Sequence, residues 1–142
     1  MLTIQLKGGN ELNLQISGLQ ESFDIGKLLD QASALILARI RARFLQQTAP
    51  DGTKWKVSQA ALDRADSGRD GGTGFDTGRM FHSIQLHTEG PDARAISTDV
   101  EYAPFFQWGT VNMPSRVFLG FSDEDKAIVE EFLKKRFNEA TL

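Results

Sequence analysis

Several things are missing from this chain of 142 residues, and each absence narrows what it can be. It has no cysteine, which removes disulfide frameworks, thiolate metal sites and cysteine nucleophiles. Its only two histidines, His82 and His87, are an odd number of residues apart. On a shared strand they would face opposite sides, so a metal pair or a Ser–His dyad is poorly served even though Ser83 adjoins one of them. No apolar run is long enough to span a bilayer, and the first residues carry no signal-peptide pattern. Synthesis in the cytoplasm is therefore the expectation. Positive charge is in deficit, with sixteen Lys and Arg against nineteen Asp and Glu for a formal charge of −3. A protein whose main task is neutralising phosphates is not indicated, although local basic patches are compatible with that balance.

What is present predicts one α+β domain over residues 1–142: a small antiparallel sheet on a long helix in the N-terminal half, a C-terminal helix, and a long mobile glycine-rich loop. Leu2, Ile4 and Leu6 alternate with polar residues, as do Leu12, Leu14 and Ile16, around Gly8-Gly9-Asn10. That is a hairpin within residues 1–18. A helix follows over Ile25–Gln47, with Asp24 or Ser22 to cap it and Ile25, Leu29, Ala32, Ile36, Ile40 and Phe44 in one stripe. Its middle, Ala34 to Ala38, is apolar all round and needs cover on every side, from the same domain or from a neighbouring subunit. Arg39, Arg41 and Arg43 read as a solvated rim, with a phosphate-binding row as the less common use of such a pattern.

Pro50 and Asp51-Gly52 end that helix in a turn. Residues 57–75 then form a flexible loop or arm, with a helical turn over Ser58–Arg64 and little to pack between Asp66 and Gly74. Asp76 or Thr77 can cap a short element leading into a strand over Ser83–Thr88, which returns over Ala93–Val100. Tyr102 to Gly120 holds Tyr102, Phe105, Phe106, Trp108 and Phe118, interrupted by Pro104, Gly109, Pro114 and Gly120. So aromatic a run must be buried, and its Pro and Gly forbid one long element, so it should fold as a helical turn, a hinge and a short strand. Ser122 caps a final helix whose first turn holds three acids and whose last turn holds Lys134-Lys135-Arg136, both favoured by the helix dipole.

Motifs of chemistry fail on inspection. Gly71-Gly72-Thr73-Gly74-Phe75-Asp76 starts like a calcium β-roll repeat, but stands alone and lacks the apolar residue after the Asp. A dinucleotide fingerprint would need glycine where Thr77 stands, and Gly52-Thr53-Lys54 has the wrong order for a P-loop. Asp63, Asp66, Asp70 and Asp76 could gather a divalent cation, yet solvated loop acids are far commoner. Nothing assembles a nucleophile, a base and an orienting group, so neither an enzyme nor a cofactor is expected. The arginine row, with Arg116 among aromatics, keeps a nucleic-acid-binding module as the alternative class.

Four blocks decide the preference. Phe44 to Trp55, Phe75 to Ile84, Tyr102-Ala103 with Gln107-Trp108-Gly109, and Pro114 to Ser122 before an acidic helix start together resemble the phage virion-morphogenesis or tail-completion family of head–tail connector proteins. The likeness covers roughly residues 28 to 137. The chain departs from the pattern at Phe106, where many relatives carry histidine, and at Val117, where many carry proline. The resemblance implies a structural protein, not an enzyme, that forms a homo-oligomeric ring at the head-proximal end of the tail and helps join tail to head. Its partners would be itself, the tail tube protein and head–tail connector proteins. DNA would pass through the ring without specific binding, and the protein would reside in the virion after synthesis in the host bacterium. Trp55, Arg79, Tyr102, Phe105, Trp108, Arg116 and Phe118 are the candidate interface residues, with core packing the more common use of tryptophans such as Trp55 and Trp108.

Overall fold

The structure is a computed structural model that describes residues 2–17, 24–68, 72–73 and 78–140, with side chains up to 137. Its elements in order are β1 (Leu2–Lys7), β2 (Glu11–Ile16), α1 (Ile25–Gln46), α2 (Gln59–Asp66), α3 (Arg79–Ser83), β3 (Gln85–Thr88), β4 (Ala93–Ser97), α4 (Ala103–Trp108) and α5 (Asp123–Ala140). The four strands form one antiparallel sheet in the order β1-β2-β4-β3.

Alternation in the sequence becomes a two-faced sheet. The register sets Ile4 against Leu14, Leu6 against Leu12, and Ile96 between Leu12 and Leu86. Because the side-chain period is two, all of these point the same way, and the opposite face carries Thr3, Gln5, Asn13 and Gln15. The apolar face packs under α1 and α5, and together they bury Leu12, Leu14, Leu29, Ile36, Ile40, Ile96 and Val129. Arg94 shares that face, so its charge needs a partner there. Its Nε lies 2.6 Å from Asp30 Oδ1 of α1, and Nη2 donates to the Gly26 carbonyl at 3.1 Å.

The caps are local and legible. Asp24 accepts from the Lys27 N–H at 3.1 Å, and α1 stops where Gln47 turns left-handed at φ 60°. Ser122 accepts from the Asp125 N–H at 3.0 Å, and Asp125 answers by accepting from the Ser122 N–H at 2.9 Å, an Asp-bearing capping box.

Three expectations need correction. Lys134-Lys135-Arg136 is not the last turn of the final helix, because α5 runs on to Ala140. The arginine row is not a solvated rim: Arg43 is buried, with Nη1 2.8 Å from Asp125 Oδ2 and Nη2 donating to the Gly120 carbonyl at 3.1 Å. Arg39 also reaches Asp125, and Arg41 donates to the Ile84 carbonyl at 3.0 Å. Residues four apart lie on one helix face, so Arg39 and Arg43 meet the same acid and clamp α1 to α5. The aromatic stretch forms no strand after its hinge. Past α4 it makes a tight turn with an isolated bridge between Thr110 and Met113, then runs extended to α5. Of the glycine-rich arm, residues 69–71 and 74–77 lie outside the described residues, as do Ser22 and the capping positions Asp76 and Thr77. The part that is described packs on the body: Arg64 donates to the Gly72 carbonyl at 2.8 Å, and Gln47 to the Thr73 carbonyl at 3.1 Å.

Candidate interaction surface

The aromatic residues divide into an inner and an outer set. Phe44 of α1 is the hub of the inner set. Its ring lies 5.0 Å from Trp55 edge-on, 5.5 Å from Phe81, 6.2 Å from Phe106 in parallel, and 6.0 Å from Phe118 edge-on. Trp55 and Phe118 also meet Phe106, at 5.3 and 5.7 Å. Such edge-to-face contacts add to the burial of large apolar area. The indole N–H of Trp55 is satisfied by the Val117 carbonyl at 2.9 Å. Aromatics from three of the four sequence blocks (Phe44 and Trp55, Phe81, Phe118) therefore meet around Phe106, which lies between the two parts of the remaining block.

A family model for the phage virion morphogenesis family matches residues 13–138. This chain belongs to that family. No curated protein and no solved structure matches it. The model's match begins inside β2, so β1 of this phage virion morphogenesis protein lies outside the family pattern, as do the last four residues.

α4 divides the remaining aromatics by helical geometry. Ala103, Phe106 and Gln107 face inward, while Tyr102, Phe105 and Trp108 recur every third residue on the outer side. Phe105 is 57% and Trp108 54% exposed, and Val111 in the following turn is fully exposed. The hairpin tip fixes the base of this ridge. A Cβ on Gly9 would lie 2.6 Å from Pro104 Cα, so only glycine allows the tip to rest on α4. Gly109 turns the chain at φ +79°, where a Cβ would sit 2.7 Å from the Met113 carbonyl and the Ser115 amide.

Gln107 is the residue that sequence reasoning missed. It is fully buried, and its Oε1 accepts from the Phe118 and Leu119 N–H groups, both at 3.1 Å, while Nε2 donates to the Leu119 carbonyl at 2.6 Å. A side-chain amide thus takes the place of a neighbouring strand for residues 118–119. The only signal in the sequence was a polar residue inside an aromatic run.

Beside the ridge lies an open groove of about 740 Å³, walled by Leu6, Trp108, Val117, Leu119 and Phe121. The charged residues lining it are Asp51, Asp123 and Glu124, all acidic. A hydrogen bond from the Thr53 N–H holds the Asp51 carboxyl below its usual range, so this lip is anionic at neutral pH. A second apolar patch, Ala34, Leu35, Ala38 and Leu45, opens on the side of α1 away from the sheet. The all-round apolar segment of α1 is therefore covered on one side only.

The seven residues proposed from sequence fall into separate places. Tyr102, Phe105 and Trp108 share the exposed ridge. Trp55 and Phe118 are buried in the subunit. Arg79 forms a forked, exposed ion pair with Glu101 at 3.1 and 3.4 Å; the pair raises the Arg79 pKa, while Glu101 is lowered first by a hydrogen bond from its own backbone N–H and then by Arg79. Arg116 is buried beneath the ridge. His82 sits in α3 and His87 in β3, not on one strand, and both are exposed. Among the described residues no group of three His, Cys, Asp or Glu is placed to hold a metal ion, and no helix is long and apolar enough to cross a membrane.

Proposed function

We propose that this protein is a structural tail-completion or neck component that assembles into a ring at the head-proximal end of the phage tail and helps join tail to head. The observation that carries the reading is the exposed Tyr102–Phe105–Trp108 ridge with Val111. A lone soluble subunit has no physical use for three aromatic side chains lined up in water, and such patches are the usual anchors of protein contacts. The apolar back of α1 supplies a second surface of different shape. Two unlike sticky surfaces are what a head-to-tail ring requires, because its contacts are heterologous.

In this reading the protein acts without catalysis or cofactor. Its partners are further copies of itself, the tail tube protein and the head–tail connector proteins. DNA passes through the ring without specific binding, which suits a net charge of −3 and an acidic groove lip, since both repel phosphate. The internal pairing of Arg39 and Arg43 takes away the phosphate-binding row on which the nucleic-acid-binding alternative rested. The protein resides in the virion after synthesis in the host.

Electron microscopy of particles made without this protein tests the reading. Unjoined heads and tails, or tails of abnormal length, are the expected result. Normal infectious particles would end it.

A further inference from the structure

Arg116 is 4% exposed, and among the described residues no carboxylate pairs with it. Among the described residues its Nε donates to the Lys56 carbonyl at 2.7 Å, and its guanidinium carbon stands 5.8 Å from the centre of the Phe106 ring. A carbonyl dipole and a ring face do not replace the hydration of a full cation, and arginine does not escape by losing its proton. Of the three other buried arginines, two have a carboxylate at hand: Arg43 has Asp125 and Arg94 has Asp30. The Nη groups of Arg116 donate to no described group, and they are not among the fully enclosed polar atoms without a partner. The backbone fixes their place. The Arg116 N–H donates to the Phe106 carbonyl at 2.9 Å and Ser115 Oγ to the Gln107 carbonyl at 2.6 Å, which lays this segment along α4 beside the exposed Phe105.

We propose that Arg116 is the cationic half of an ion pair whose carboxylate is supplied by a second copy of this chain when subunits assemble. The inference rests on the ring reading above and adds the charged contact within it. A planar fork held against a ring presents two parallel N–H donors, the geometry that a carboxylate matches best. The chain has acids in excess and exposes several on its surface, among them Asp99, Glu130 and Glu131. A DNA phosphate suits the place less well, because Asp51, Asp123 and Glu124 line the groove that Trp108 shares. Arginine beside exposed aromatics is also the composition of interface hot spots.

Two substitutions in the full chain test this, with thermal melting and the concentration midpoint of self-assembly as readouts. R116M keeps the packing on Phe106 and removes the charge. Its subunit should melt no lower than wild type, because an unmatched buried cation is lost, while its assembly midpoint rises tenfold or more. R116K places an amine at this position, and carbodiimide should join it to an acid of another copy, in a cross-linked peptide that mass spectrometry identifies. Assembly of R116M at the wild-type concentration, or the lack of any intersubunit cross-link from R116K, would overturn the proposal. Loss of duplex-DNA binding in R116M with assembly unchanged would also overturn it and assign a phosphate partner instead. If R116M does not fold, the R116K cross-link decides. Should wild type stay monomeric even with tail tubes, the ring reading fails and this inference goes with it; should wild type assemble and R116M assemble equally, only this inference fails.

Discussion

Removing the carboxylate of Asp125 should unfasten α5 from α1. Asp125 is fully buried and accepts from Arg43 Nη1 at 2.8 and 3.0 Å, from the Ser122 N–H at 2.9 Å, and from Arg39. In Asp125→Ala, Arg43 keeps only its bond to Gly120 and remains an unpaired buried cation, and the Ser122 amide loses its acceptor. Breaking a buried pair from one side costs about 3–5 kcal/mol, a large share of the roughly 5–15 kcal/mol that holds a domain folded. Urea titration followed by circular dichroism should show a lower midpoint at unchanged slope. A second arm uses pH. Burial pushes the Asp125 carboxyl up, but the hydrogen bonds from Arg39 and Ser122 and the charge of Arg43 outweigh it and hold the pKa below the usual value. A carboxyl lowered on folding contributes stability that is fully present above the unfolded value of about 3.9 and is lost as pH falls through the folded one. Asp125→Asn should therefore show a shallower acid-induced loss than wild type. Replacing the pair together, as R43M with D125L, should recover part of the stability, because no buried cation is left stranded and the partly exposed Arg39 keeps Glu124 at 3.6 Å, while the Ser122 amide still lacks its acceptor. A loss below about 1 kcal/mol in Asp125→Ala, or an unchanged acid profile in Asp125→Asn, would refute the clamp.

Gln107→Ala strips partners from two buried N–H groups and one carbonyl, at about 1–3 kcal/mol for each group left unsatisfied, and faster amide exchange at Phe118 and Leu119 is the direct check. Phe44→Ala empties the hub of the aromatic cluster and should cost about 3–5 kcal/mol in chemical denaturation, with no rescue from any surface change. The double change Phe105→Ser with Trp108→Ser should do the reverse, leaving the melting temperature within a few degrees of wild type while shifting light-scattering mass toward the monomer. Gly109→Ala forces a side chain into a left-handed turn against the Met113 carbonyl, and should lower the melting temperature more than Gly52→Ala, whose Cβ would meet nothing.

The sequence by itself determined the elements and their caps. Alternation made the hairpin, an apolar stripe made α1, and Asp24 and Ser122 marked where two helices begin, because strand pairing, helix periodicity and capping act over a few residues and leave a pattern in the chain. Even the four family blocks could be quoted without knowing that Phe44, Phe81, Phe106 and Phe118 touch. Only the tertiary structure decided which side chains meet across long separations. Arg39 and Arg43 looked like surface charge until α5 brought Asp125 against them, and Gln107 looked incidental until residues 118–119 needed a partner. The same holds for the aromatic stretch. α4 has a large side chain on nearly every side, so no periodicity could say that Phe106 goes in while Phe105 and Trp108 stay out. The hairpin tip resting on Pro104 and the core around Phe44 fix the rotation of that helix, and with it the ridge left open to solvent.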